Sequence, residues 1–375
     1  MNSLLAVDAD IPAGNIIVES IDGDTVRMRP DLRDTEGHWF YWHCRLRGGA
    51  GRTVRVEMTS PNTLTTRGAA ASFDGGATWQ WLAPTGPADW SFLCPVPAGA
   101  DDVRLAMTPP YAGEHLRRYL EARGHLEVSM LCTSRKGRPV VCLRAGGLAG
   151  DPPHRVVVTA RHHCCEMMAS WALEGLLDAF AAADDAGAWL RGNVELLAVP
   201  FVDTDGVLDG DQGKNRRPRD HNRDYLGESI YPETAAIRQR VPCWSQGRLR
   251  AALDLHCPWI RGVETNERIY IVGSPDPGMW AEQQRFGEMI ERHRRGPLPY
   301  LAADNLPFGV AWNVGGNENT GRSFGRWAST LDGVVLAASI ELPYAIARET
   351  DVTPASARAF GADLAEALRQ YLMTL

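Results

Sequence analysis

The chain contains no apolar run approaching the ~18 residues that a membrane-spanning helix requires, so no bilayer crossing is expected. Its first residues, Met1-Asn-Ser-Leu-Leu-Ala-Val-Asp8, lack the basic start of a secretion signal. Also missing is any Cys-x-x-Cys pair: Cys44, Cys94, Cys132, Cys142, Cys243 and Cys257 are scattered, and only Cys164 and Cys165 are adjacent. This spacing argues against a closed, Cys-rich structural zinc site and predicts free thiols in a reducing, cytoplasmic setting. No internal repeat, heptad or low-complexity tract is present. The net charge of −7, without an aromatic-basic binding module, argues against a nucleic-acid partner.

What the chain does have is length and apolar content for two packed domains, with 375 residues that are 44% hydrophobic. Residues 15 to 108 carry short alternating runs, such as Thr25-Val-Arg-Met28, Thr53 to Met58 and Asp102 to Met107, separated by Gly, Pro and Asp turns. That pattern predicts an N-terminal antiparallel β-sandwich domain over residues 1–112. Pro109-Pro110 and a helix-like stretch from Gly113 to Arg123 form the expected connector. From His125 onward, strand-like and helix-like segments alternate: 125–132, 139–143, 155–160, 167–183, 194–202, 279–294 and 355–373. The alternation predicts an α/β domain over residues 113–375, with a mixed sheet flanked by helices. The default for the twelve Trp residues is core packing, with some free to line interfaces or a cleft.

Chemistry concentrates where apolar runs stop. The run from Arg155 to Ala160 leads into Arg161-His-His-Cys-Cys-Glu166, and a helical pattern begins at Met167. In open α/β sheets ligands bind beyond the carboxyl ends of strands, so His163 and Glu166 stand at metal-ligand spacing in a favourable place. A third imidazole, His256, ends the run Arg250 to His256. Three protein ligands with an open fourth position describe a catalytic zinc, one per chain. A fourth run, Gly333 to Glu341, ends in a carboxylate; burial at a strand end raises such a pKa and suits Glu341 to proton shuttling as general base. Between these points Lys214, Arg216, Arg217, Arg219 and Arg223 fall within ten residues, a cluster suited to an anionic substrate group although solvated basic loops are common.

Taken together, Ala160-Arg161-x-His163-x-x-Glu166, Asp205-Gly206-Val207, Asp220-x-Asn222-Arg223, Asp254-Leu255-His256 and Ile340-Glu341 resemble, in content and order, the zinc metallocarboxypeptidases, most closely the cytosolic carboxypeptidase branch. Upstream, Trp39-Phe-Tyr-Trp42, Met107-Thr-Pro-Pro-Tyr111 and His115 to Leu120 look like the β-sandwich that precedes the catalytic domain in that branch. The resemblance implies that His163, Glu166 and His256 hold zinc and that Glu341 activates water and then protonates the leaving amine. It further implies that Asn222 and Arg223 receive the terminal carboxylate of a peptide or protein tail, and that Asp220 orients the His163 ring. The chain departs from the family at Cys164-Cys165, where Pro-Gly is usual, and at Gly213, where the oxyanion arginine would align. Lys214 or Arg216 is the expected substitute, with Arg216 also expected at the substrate. The family's capping tyrosine has no clear counterpart among Tyr270, Tyr300 and Tyr344. Residues 313–327 read as a specificity loop. Arg326 falls near the family's pocket-floor position and would favour an acidic C-terminal side chain. The expected activity is C-terminal peptide-bond hydrolysis. The competing readings are an N-acyl amino-acid deacylase and a non-catalytic, zinc-containing module that binds C-terminal tails. Cys164 and Cys165 are read as packing residues at a helix start, against the competing idea of an oxidation-sensitive site.

Overall fold

In the computed structural model, residues 4–86, 89–100, 102–262, 264–315 and 321–375 are described. The N-terminal part folds into two sheets. One has five strands in the order β1-β4-β9-β6-β7: β1 Ala6–Asp8, β4 His43–Arg47, β9 Val103–Ala106, β6 Ala69–Ser72 and β7 Gln80–Leu82, all antiparallel. The other runs β2-β3-β5-β8: β2 Ile17–Asp22, β3 Thr25–Arg29, β5 Thr53–Met58 and β8 Ser91–Pro95. Here β3 and β5 pair in parallel, so the expectation of uniformly antiparallel strands is corrected at this pair. The physical reason is connectivity: the chain leaves β3 through a long excursion, residues 30–52, that includes β4, and such a crossover returns the next strand in the same direction. Alternating inward residues of both sheets, among them Val26, Met28, Leu46, Val54, Val56 and Leu105, belong to one buried cluster.

Helix α1, Gly113–Glu121, leads into a seven-stranded mixed sheet in the order β10-β11-β13-β12-β14-β16-β15. Its strands are β10 Glu127–Thr133, β11 Pro139–Gly146, β12 His154–Ala160, β13 Val194–Val199, β14 Leu249–His256, β15 Tyr270–Val272 and β16 Leu336–Glu341. The central four, β13, β12, β14 and β16, are parallel and almost wholly buried, as near-continuous Val, Leu and Ala runs require when helices cover both faces. Parallel pairing brings their carboxyl ends to one edge of the sheet.

Helix α2, Met167–Ala179, starts one residue after Glu166 and is buried along most of its length. It lies against the C-terminal helix of residues 354–372 at very close range, which two glycines permit. A Cβ at Gly361 would fall 1.8 Å from the Ala172 carbonyl oxygen, and one at Gly175 would fall 1.9 Å from that of Arg358. The remaining helices are α3 Asp185–Asn193, α4 Thr204–Asp209, α5 Pro232–Ser245, α6 Pro277–His293, α7 Phe324–Ala328 and α8 Pro354–Leu372. Proline at the first turn and side-chain caps at Asp276 and Thr353 set the starts of α6 and α8. Among the described residues no helix is long and apolar enough to cross a membrane.

Candidate metal and peptide site

The register of the parallel strands assembles the site. Ala160 on β12 is paired with Leu255 on β14, and His256 on β14 with Glu341 on β16. The segment leaving β12 therefore turns directly over His256, and Glu341 stands beside it. That turn is built around Arg161, which is buried and adopts a left-handed φ of 61°. Its guanidinium donates to the carbonyl of Cys164, to that of Tyr111 at 2.9 Å and to the Ser170 hydroxyl at 3.0 Å. Backbone bonds from Asp203 N to Arg161 O and from Cys165 N to Gln212 O fasten the same turn to its neighbours.

One nitrogen or oxygen from each of His163, Glu166 and His256 lies within 4.8 Å of the other two. Nδ1 of His163 stands 3.0 Å from one Glu166 oxygen, and Nδ1 of His256 stands 2.9 Å from the other. Each ring turns its second nitrogen to an aspartate: His256 Nε2 is 2.6 Å from Asp254, and His163 Nε2 is 3.7 Å from Asp220, an ion-pair separation longer than a hydrogen bond. Two imidazoles and a carboxylate, with the outer imidazole nitrogens facing carboxylates, form a donor set that suits Zn²⁺. A second convergent set, His162, Asp254 and His256, shares His256. It is less suited to a catalytic metal, because His162 and Asp254 are wholly buried and do not line the cleft, and the second His162 nitrogen faces the Tyr225 hydroxyl at 2.8 Å.

The charges are strongly coupled to burial. For Glu166, burial pushes the pKa up, but Lys214 and the two imidazoles hold the carboxyl well below its usual range. Asp254 and Asp220 follow the same logic, with desolvation outweighed by His162 and His256 in the first case and by His163 in the second. Burial raises Glu341, and the nearby Glu166 charge adds to the rise against the opposing His256 and Lys214. One Glu341 oxygen is buried without a hydrogen-bond partner.

These groups open into a cleft of about 540 Å³. His163, His256, Glu341, Asp220, Asn222, Arg223 and Arg326 all line it, while Glu166 is fully buried beneath Lys214, whose ammonium lies 2.6 Å from it. Asn222 accepts from the Phe324 backbone N–H at 3.0 Å, which ties the Asn222-Arg223 pair to α7 and to Arg326 on it.

Arg216 does not line the cleft, which corrects its expected place at the substrate. Its buried guanidinium is enclosed by Asp203, Asp211 and Asp34, the partners a desolvated cation needs. None of Tyr270, Tyr300 and Tyr344 lines the cleft; their hydroxyls face Trp312, Asn305 and Cys165. Within the expected specificity loop, residues 316–320 lie outside the described residues, while Asn313, Val314, Gly321, Ser323, Gly325 and Arg326 line the cleft.

Sequence reasoning missed Asp254 as the carboxylate bridging two imidazoles, although its spacing of two from His256 puts both on one face of a strand. The Trp39 to Trp42 motif was read as part of the N-terminal sandwich rather than as cleft lining, and Trp312 was not singled out from the other tryptophans; both Trp39 and Trp312 line the cleft.

No established family profile matches the chain. Mouse cytosolic carboxypeptidase 4 is 28% identical over 180 residues, which is 43% of this chain and 16% of that protein. Mouse cytosolic carboxypeptidase 3 is 24% identical over 222 residues, 54% of this chain and 22% of that protein. The matched segments thus span less than a quarter of those relatives. Among solved structures, a metallo-carboxypeptidase from Burkholderia cenocepacia superposes with a TM-score of 0.81 at 21% identity, covering 99% of this chain and 100% of that one. A metallo-carboxypeptidase from Pseudomonas aeruginosa, in complex with (2-guanidinoethylmercapto)succinic acid, gives 0.76 at 22% identity over 98% and 99%. The chain therefore has the metallocarboxypeptidase fold, and in sequence it resembles the cytosolic carboxypeptidase branch.

Proposed function

We propose that this chain is a zinc-dependent carboxypeptidase that removes C-terminal residues from peptides or protein tails, with a preference for acidic ones. The observation that carries the reading is the convergence of His163, Glu166 and His256 beside Glu341 at the carboxyl ends of adjacent parallel strands. His163 and His256, through Nδ1, and the Glu166 carboxylate are the residues that would hold zinc. Zinc bound there would acidify a water and polarise the scissile carbonyl.

The chain's own groups account for the rest. Glu341, buried and with a free oxygen, takes the proton of the attacking water and returns it to the leaving amine. Asn222 and Arg223 receive the terminal carboxylate, and Arg326 meets an acidic side chain from the adjoining wall. Asp220 and Asp254 hold the two ligand rings in orientation. Lys214 donates to the carbonyl oxygen as negative charge develops on it. Residues 113–375 would form the catalytic domain, and residues 1–112 a sandwich domain packed against it. Eight free thiols are in keeping with a cytoplasmic setting.

The test is metal analysis with a mass-spectrometric screen of peptides ending in Glu, Asp, Lys or Phe, and of N-acyl amino acids. One zinc per chain and stepwise loss of C-terminal residues, acidic ones fastest, is the expected result. In Glu341→Gln, zinc should stay while kcat/KM falls by roughly 10²–10⁴. Hydrolysis of N-acyl amino acids alone would replace the reading by a deacylase, and binding of tails without cleavage by a recognition module.

A further inference from the structure

Among the described residues that line the cleft, Trp39 is the one that comes from the N-terminal part, and nothing in the proposed chemistry uses it. The indole stands on the segment between β3 and β4 and lines the same cleft as His163 and Glu341. It is half-buried, and its Nε1–H donates to the Glu36 carbonyl at 3.1 Å, which fixes the ring plane. The Lys214 ammonium lies 5.4 Å from its ring centre, and the Trp259 ring, also in the cleft wall, lies 4.9 Å away at a tilt of 57°.

The segment carrying Trp39 is laced to the loop carrying Lys214. Asp34 pairs with Arg216 at 3.0 Å, Thr35 and Arg216 form a backbone bridge, and Glu36 N donates to Asn215 O. At its far end both backbone groups of Tyr41 bond the Gln212 side chain, at 2.7 and 2.9 Å. Such a ladder holds the indole at a set distance from Lys214 and Glu166. A ring that served only to pack would not need to face the cleft.

Position on the cleft decides what Trp39 meets. Asn222 and Arg223 are bound to the Gly321–Arg326 side: Phe324 N donates to Asn222, and Asp224 bridges Arg322. Trp39 and Trp259 are bound to the Lys214 and Cys257 side. On the reading proposed above, the terminal carboxylate occupies the first side and the scissile carbonyl lies at the metal ligands. The chain upstream of the scissile bond then leaves past Lys214. We propose that Trp39, backed by Trp259, is a specificity residue for the penultimate side chain of the substrate and favours an aromatic or large apolar one there. Two tilted indoles offer broad apolar faces and edge-to-face contacts to such a group. Their ring faces carry negative quadrupole charge, so a penultimate carboxylate gains nothing from them. The preference thus differs in kind from that of the terminal pocket.

The experiment uses the zinc-loaded 375-residue chain and peptides that share one C-terminal residue and differ only in having Phe, Leu, Gly or Glu before it. Expected is a kcat/KM about tenfold or more higher for Phe than for Gly, in the range one well-filled apolar subsite gives. Trp39→Ala should reduce that ratio to about twofold, while Trp39→Phe and Trp39→Leu keep a graded part of it. Circular dichroism and zinc content confirm that each variant is folded. Equal rates for the four peptides, or a Phe preference that survives Trp39→Ala, would overturn the proposal and leave the carboxypeptidase reading intact. Failure to cleave any peptide would overturn that reading and the proposal with it.

Discussion

The loop from Gly213 to Arg216 shows how neighbouring residues take different parts. Gly213 has a φ of +81°, and a Cβ there would come within 2.4 Å of the Cys164 backbone nitrogen, so a larger side chain would push the turn after β12 aside. Arg216 is consumed by three carboxylates. Lys214, between them, is the cation that reaches the cleft; burial alone would lower its pKa, but Glu166 more than offsets this and keeps it charged. If Lys214 supplies the oxyanion contact, Lys214→Ala should lose roughly 10²–10³ in kcat/KM with zinc retained, and Lys214→Arg should recover part of it. Steady-state kinetics with parallel metal analysis would decide, and a loss of only a few-fold would remove Lys214 from the chemistry. The adjacent thiols have a plainer place. Burial raises the Cys164 thiol well above its ordinary pKa and Cys165 to about 11, so neither has thiolate character near neutral pH, and Cys164 donates its S–H to the Asp211 carbonyl at 3.0 Å. Both are buried just before the start of α2, as packing residues are.

Between elements, the critical joint is the turn after β12 against the loop that follows α4. Gly213→Ala pushes a methyl into the backbone of the ligand turn and also strains a left-handed φ. It should destabilise the fold by about 2 kcal/mol or more. Because His163 and Glu166, the proposed zinc ligands, ride on the turn, zinc affinity should fall in parallel, measurable by thermal unfolding with and without zinc and by chelator competition. Wild-type affinity in a folded variant would show that the turn tolerates the shift. This joint also explains what the sequence disclosed. The ends of β12, β14 and β16 were legible because apolar runs stop abruptly before the Arg161 to Glu166 segment, at His256 and at Glu341, and parallel strands bring such ends together. Helices α2, α6 and α8 were legible from periodicity and length. The unforecast α5 contains Pro242 and has little amphipathic patterning, so its sequence resembles a turn region. Arg216 was misplaced because a cluster of cations reveals charge but not which carboxylates fold onto each one. Trp39 stayed hidden because its cleft partners, Lys214 and Trp259, are far along the chain.

Across the whole molecule, the N-terminal sheets meet the α/β part through buried polar contacts, and a buried histidine lies beside them. Asn15 sits at that junction: its backbone pairs with His43 on β4, and its side chain donates to the Gly210 carbonyl at 2.7 Å, one residue past α4. The His43 ring is buried next to this bridge. Burial drives its pKa down from 6.5 to about 3, with the positive charge of Arg104 adding to the fall, so the folded protein holds it neutral. Between these two values the unfolded chain binds a proton that the folded chain does not. Stability from this group is therefore complete above pH 6.5 and is lost progressively as pH falls toward 3. Moving from pH 8 to pH 5 should cost the wild type about 2 kcal/mol through this group alone. His43→Leu, which has no proton to bind at that position, should be less sensitive to acid by that amount, whatever its absolute stability. Chemical denaturation of both proteins at pH 8, 6.5 and 5, with metal removed so that pH-dependent metal binding does not intrude, would measure the difference in slope. Parallel pH profiles would mean that His43 already finds a partner for its proton in the folded state, and that the junction it adjoins is not the part of the molecule that acid opens.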